Sequence, residues 1–169
     1  MFTTKTFACG VALAAITATA TFAETYDRYG AVDSWTVFAN TETKGCFIES
    51  ENNNGNVVQM GIRDAGDTVG FIGVFNKGES VLSKGEKREM LVELDGDPFT
   101  IIAHSSEDRV SDGYTGGYMF ANNPDFIRDI SEKNVMKVHT SDSTSFEIDL
   151  TGTKKALEMA RECYASQNG

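Results

Sequence analysis

The sequence predicts a mainly β domain: an antiparallel β-sandwich or barrel-like fold with a short helix near 123–132 and a C-terminal helix near 153–166. Short runs rich in Val, Ile, Phe and Tyr recur through the middle of the chain, each closed by Gly, Asn or Asp, which is the pattern of strands joined by turns. Helical spacing of apolar residues is confined to segments toward the C-terminus. Cys46 and Cys163 stand where a bridge would tie an early strand to the last helix.

Met1 to Ala23 reads as a secretory signal. Lys5 precedes an apolar, uncharged run from Val11 to Ala20, and the small residues Thr21 and Ala23 suit cleavage before Glu24. That run is far shorter than the roughly 20 apolar residues a spanning helix needs, so no membrane span is expected. The expectation is a periplasmic or secreted bacterial protein, with 24–169 forming a single β-rich domain. Cys9 leaves with the signal and lacks the preceding apolar run of a lipidation site.

The chain carries 25 acidic and 15 basic residues, a net charge of −10. Loss of the signal removes Lys5 and no acid, so the exported chain is more negative still. Phosphate neutralisation needs clustered Lys or Arg, which excludes nucleic acid as a partner and disfavours anionic lipid. A basic partner or a neutral ligand stays open.

The strands are expected at Ser34 to Asn40, Gly45 to Glu49, Val57 to Arg63, Thr68 to Phe75, Lys87 to Leu94, Phe99 to His104, Thr115 to Phe120, Met136 to Thr140 and Ser145 to Leu150. Asn52-Asn53-Asn54-Gly55 tolerates positive φ and should close a hairpin, Asp64-Ala65-Gly66-Asp67 should reverse the chain again, and a meander of the first four strands follows. Asp95-Gly96-Asp97-Pro98 is a further tight turn. Strand order beyond the meander is left open.

Asn123 is a good N-cap with Pro124 at the first helical position, and Phe126, Ile127 and Ile130 form the buried side of the short helix. Thr153 is the expected cap of the last helix, whose Ala156, Met159, Ala160 and Cys163 share one face. In an oxidising compartment the pair Cys46 and Cys163 is expected to form a disulfide. The ends, Glu24 to Asp33 and Gln167 to Gly169, carry no pattern and are expected to be loose.

Motifs for chemistry are sparse. Gly116 and Gly117 lie inside a strand rather than at a helix start, so they mark close backbone approach or a bulge sooner than a phosphate loop or a ligand groove. His104, near Glu107 and Asp108, and His139, near Asp142, lack the spacing of a zinc site, and no Gly-x-Ser-x-Gly nucleophile is present. Asp64, Asp67, Asp95, Asp97, Asp108 and Asp112 sit in turns, but a calcium loop counted from Asp95 places Ser106 where the closing Glu belongs. Lys84, Lys87 and Arg88 alternate with Glu86 and Glu89, as on a solvated hairpin. No catalytic residue, metal ligand or cofactor is assigned.

The order of features carries a resemblance. The leader, Ser34-Trp35-Thr36-Val37, Gly45-Cys46-Phe47-Ile48, and Phe146-Glu147-Ile148-Asp149-Leu150-Thr151-Gly152-Thr153 before Ala156-Leu157 and Cys163 resemble the invasion-associated locus B family of exported alphaproteobacterial proteins. The central cysteines usual in that family have no counterpart here. The resemblance implies an envelope-associated β-sandwich without known chemistry, linked in some members to host-cell entry. It supplies no catalytic residues.

The expected function is a non-enzymatic module that binds another envelope protein or a glycan. Tyr114, Tyr118 and Phe120 are the candidate contact residues, since Tyr beside Gly suits adaptable surfaces; core packing is their competing role. The alternatives are a small secreted hydrolase using His104 or His139 with a carboxylate, which needs these groups to converge in a pocket, and a metal or small-molecule carrier.

Overall fold

In β2 (Trp35–Asn40), Trp35, Val37 and Ala39 are buried while Thr36, Phe38 and Asn40 keep partial exposure, and β3 (Cys46–Glu51) repeats the pattern with Cys46, Ile48 and Ser50 inside. This period of two gives each strand an inner and an outer face. The computed structural model describes residues 26–52, 54–62, 69–78, 82–106, 114–120, 123–141 and 144–169. The expected leader 1–23, the expected turn Asp64 to Asp67, and Glu107, Asp108, Asp112 and Asp142 lie outside the described residues.

Among the described residues the chain forms ten strands and two helices. β1 (Tyr26–Val32), β2, β3, β4 (Val57–Ile62) and β5 (Val69–Asn76) pair in succession as an antiparallel meander. β6 (Lys87–Leu94) and β7 (Asp97–Ser106) form a hairpin, and β8 (Thr115–Phe120) joins β7 to β5. β9 (Val135–Ser141) takes the other side of β6 and pairs with β10 (Thr144–Asp149). The sheet order is β1-β2-β3-β4-β5-β8-β7-β6-β9-β10, with β1 and β10 as open edges. The mainly β, antiparallel expectation therefore holds, and the sheet is not closed into a barrel.

One core unites both halves of the sheet. Trp35, Val37, Ile48, Met60 and Ile72 from the meander cluster with Val92, Leu94, Met136, Val138 and Ile148 from the second half. α1 (Pro124–Glu132) buries Phe126 and Ile130, with Ile127 partly buried; Asn123 Oδ1 accepts the Asp125 N–H at 3.0 Å as the expected N-cap. α2 (Thr153–Asn168) packs on β1 to β4 and buries Thr153, Ala156, Leu157, Ala160 and Cys163. The Cys46–Cys163 disulfide joins β3 to α2, with the Cα atoms 6.2 Å apart.

The structure corrects several expectations at the ends of elements. Segment 26–32 is an edge strand rather than a loose end. Its first four side chains are exposed, which hides it from any apolar pattern, and its pairing comes from a two-residue turn with Asp33 at φ 51 that sets Val32 opposite Trp35. α2 runs through Gln167, whose Nε2 donates to Cys46 Sγ at 3.1 Å, so the C-terminus is anchored by the disulfide it covers. Thr153 is not the cap. Gly152 occupies that position at φ 84, a left-handed conformation that favours glycine, and the buried Thr153 hydroxyl has no hydrogen-bond partner among the described residues. Asp95 and Gly96 both have positive φ, 49 and 91, as the Asp-Gly hairpin turn requires.

Candidate functional site

The outer face of the sheet carries two rows of side chains set by strand register. Phe38 pairs with Phe47, Phe47 with Gly61, Gly61 with Phe71, and Phe71 with Phe120. The neighbouring row runs Glu49, Gln59, Gly73, Tyr118, His104 and Lys87. Each aromatic residue alternates with a core residue, so the same periodicity that fills the interior places these rings outside.

Glycines make room for the rings. The Phe71 ring occupies the space of a side chain at Gly61, and the Phe75 ring does the same for Gly73 and Gly116. Such aromatic cover replaces the side chain a strand glycine lacks. A side chain at Gly116 would also strike the Val74 carbonyl, and no register shift marks a bulge between β5 and β8. Gly117 faces inward, where a Cβ would lie 2.9 Å from Leu82 Cδ1, and both glycines border an apolar cavity of about 50 Å³ with Val74, Ile101 and Met119. Close approach, the expectation for both glycines, is what the strand shows.

Three rings form a continuous cluster. His104 stacks on Tyr118 at 5.4 Å between centroids, Tyr118 meets Phe120 edge-on at 5.4 Å, and His104 meets Phe120 edge-on at 5.8 Å. A second set lies across the meander, with Phe38 stacked on Phe47 at 5.3 Å and Tyr26 edge-on to Phe47 at 5.2 Å. Phe120 is 52% exposed and Tyr118 is partly buried. Tyr114 is engaged elsewhere: its hydroxyl donates to Glu51 Oε1 at 3.3 Å, and Lys77 Nζ lies 5.0 Å from its ring centroid.

Between the two sets lies a groove of about 420 Å³, lined by Tyr26, Asn40, Phe47, Gln59, Phe71 and Tyr118 among others, with no charged side chain among the described residues that line it. Gln59 Nε2 donates to Glu49 Oε2 at 2.7 Å, which leaves Oε1 as an acceptor. Asn40 Oδ1 accepts the N–H groups of Glu42 and Thr43 at 3.0 and 2.8 Å, which leaves its amide NH₂ to donate. A second depression of about 230 Å³, with His104, Ile102 and Phe126, meets the first at Phe120.

The other candidate groups have local partners. His139 on β9 lies 3.2 Å from Glu93 Oε1, while His104 on β7 belongs to the ring cluster; β6 runs between their strands. Asp95 accepts the backbone N–H groups of Asn134 and Val135, which hold its carboxyl below the usual aspartate range, and Asp97 pairs with Lys133 at 2.6 Å. Arg88 pairs with Glu86 at 2.6 Å, as a solvated hairpin would have it. Among the described residues no three His, Cys, Asp or Glu side chains gather in a way that could hold a metal ion.

The sequence singles out Tyr118 and Phe120 but not their extension through Phe71, Phe47, Phe38 and Tyr26, and it offers His104 only as a hydrolase candidate, not as part of an aromatic surface. The available signal was phase: Phe38 and Phe47 fall on the positions that alternate with Trp35, Val37, Cys46 and Ile48.

Among the described residues no helix is long and apolar enough to cross a membrane. No family model matches the chain, and no curated protein matches its sequence. Among solved structures it is similar to the crystal structure of invasion associated protein B from Bartonella henselae, with a TM-score of 0.54 and 12% identity over 85% of this chain and 99% of that one. At that identity the likeness is one of fold: it agrees with the fold the resemblance implies and does not show membership of the family.

Proposed function

We propose that this chain is an exported, envelope-associated β-sandwich protein that works as a non-enzymatic binding module through the outer aromatic face of its sheet. The observation that carries the reading is the cluster of His104, Tyr118 and Phe120 opening onto the groove walled by Phe71 and Phe47. Rings gathered on an outer sheet face, with Phe120 half in solvent, are more than scattered surface apolar residues and support the reading of an interaction site. The leader-like N-terminus, the disulfide and the fold shared with an invasion associated protein support export to the envelope. Against chemistry stands the separation of His104 and His139, each engaged by a different neighbour.

The test is co-sedimentation of the purified mature protein with envelope fractions from Gram-negative cells, comparing the wild type with Phe120→Ser. Saturable binding that the variant loses, at an unchanged thermal midpoint, supports the reading. Equal binding by both proteins, or none by either, removes it.

A further inference from the structure

We propose that the groove between the two ring sets takes an uncharged glycan strand of the envelope, with successive pyranose rings laid across the strands; this rests on the binding-module reading above. Charge comes first. The chain is 24% charged, yet none of the described residues that line the groove is Asp, Glu, Lys or Arg, and the Glu49 carboxylate beside it is engaged by Gln59. An acidic polysaccharide or an anionic headgroup would give up hydration there without gaining a counter-ion among the described residues. A neutral ligand loses nothing on that count.

Shape and hydrogen bonding narrow the choice. The row from Phe38 on β2 to Phe120 on β8 crosses four strand intervals, or ~19 Å at ~4.8 Å each, long enough for several sugar rings end to end. A pyranose offers one apolar C–H face and a rim of hydroxyls. The groove offers the complement: the rings of Phe47, Phe71 and Tyr118, with the Gln59 acceptor and the Asn40 donor in the same wall. The Glu49–Gln59 bond fixes the acceptor before any ligand arrives, which lowers the ordering cost of binding. A second copy of the chain laid face to face would cover the same rings but bury those amide groups against another apolar wall.

The experiment is an NMR titration of ¹⁵N-labelled mature protein with three probes: chitotetraose, cellotetraose and, as the charged control, tetragalacturonate. Either neutral probe should shift the Gln59 and Asn40 side-chain amides together with the backbone of Phe71 and Tyr118. Gln59→Leu, which keeps the volume and removes the acceptor, should weaken that binding about tenfold, the equivalent of one hydrogen bond. Phe120→Ser gives an independent variant if Gln59→Leu is unstable. Tetragalacturonate binding as well as the neutral probes overturns the inference, as does silence from both neutral probes up to ~10 mM, a level that exposes even millimolar affinity. If envelope co-sedimentation stays sensitive to Phe120→Ser while the sugars are silent, the binding module stands with a protein partner. If both fail, the reading beneath the inference fails too.

Discussion

The Phe71 ring lies over Gly61, its directly paired neighbour on β4, in the space a side chain at position 61 would occupy. The floor of the groove is thus made by one strand covering the next. Gly61→Val forces the ring away and overpacks the outer face, a change that costs about 1–3 kcal/mol in comparable settings. Urea unfolding should show that loss, and the Phe71 ring signals should move with it. An unchanged midpoint with Phe71 undisturbed would mean the ring does not rest on the glycine.

Trp35, the sole tryptophan of the chain, is fully buried and donates its Nε1–H to Thr151 O at 3.0 Å, closing a span of 116 residues between β2 and the start of α2. Its fluorescence should be blue-shifted until the protein unfolds. Trp35→Phe removes both the donor and part of the core volume, for an expected loss of about 2–4 kcal/mol. Denaturant unfolding followed by circular dichroism reads this without the lost fluorophore.

The same segment shows what the sequence could and could not tell. β2 was legible because Trp35, Val37 and Ala39 alternate with polar or outward residues, and α1 because Asn123 and Pro124 have strict local roles. β1 was not, because an exposed edge strand has no inner face to declare itself and is held by its neighbour and a turn. The junction of β5 with β8 depends on contacts far apart in sequence, and no local pattern encodes it. The candidate site was half legible for the same reason: Tyr118 and Phe120 are two residues apart on one strand, whereas Phe71 joins them through the register of β5 with β8 and Phe47 through β4.

Thr153 Oγ1 is buried with no hydrogen-bond partner among the described residues, since Gly152 takes the capping position. A hydroxyl desolvated without compensation is a net cost, and Val has nearly the same shape. Thr153→Val should raise stability by about 1 kcal/mol. A lower midpoint in thermal or urea unfolding would show that the hydroxyl has a partner after all.

The Cys46–Cys163 bridge closes a separation of 117 residues, and both cysteines are almost fully buried at the contact of α2 with β3. In the chain-entropy account a loop of that size contributes roughly 4–5 kcal/mol. The double variant Cys46→Ala with Cys163→Ala should fall by that order in urea, with part of the loss from the acceptor that Gln167 Nε2 would no longer have. Because the sulfurs are shielded, dithiothreitol should reduce the native protein only at the rate at which α2 opens. Fast reduction without unfolding would contradict the burial.

Asp95 ties the β6–β7 turn to β9: its Oδ1 accepts the Val135 N–H at 2.9 Å and its Oδ2 the Asn134 N–H at 3.1 Å. These backbone donors hold the carboxyl below the ordinary aspartate value, and the Thr151 side chain and N–H do the same for Asp149 ahead of α2. A group whose folded-state pKa is depressed contributes stability above its unfolded value, about 3.9 for aspartate, and loses it as pH falls through the lower folded value. Stability should therefore be flat from neutral pH to about 5 as far as these two groups are concerned, then decline below about 4. Asp95→Asn keeps an acceptor but removes the charge, so it should be less stable than the wild type at pH 7 and converge on it in acid. Urea midpoints at pH 7, 5, 4 and 3 measure this, and parallel curves for the two proteins would show that the Asp95 charge does not anchor the turn.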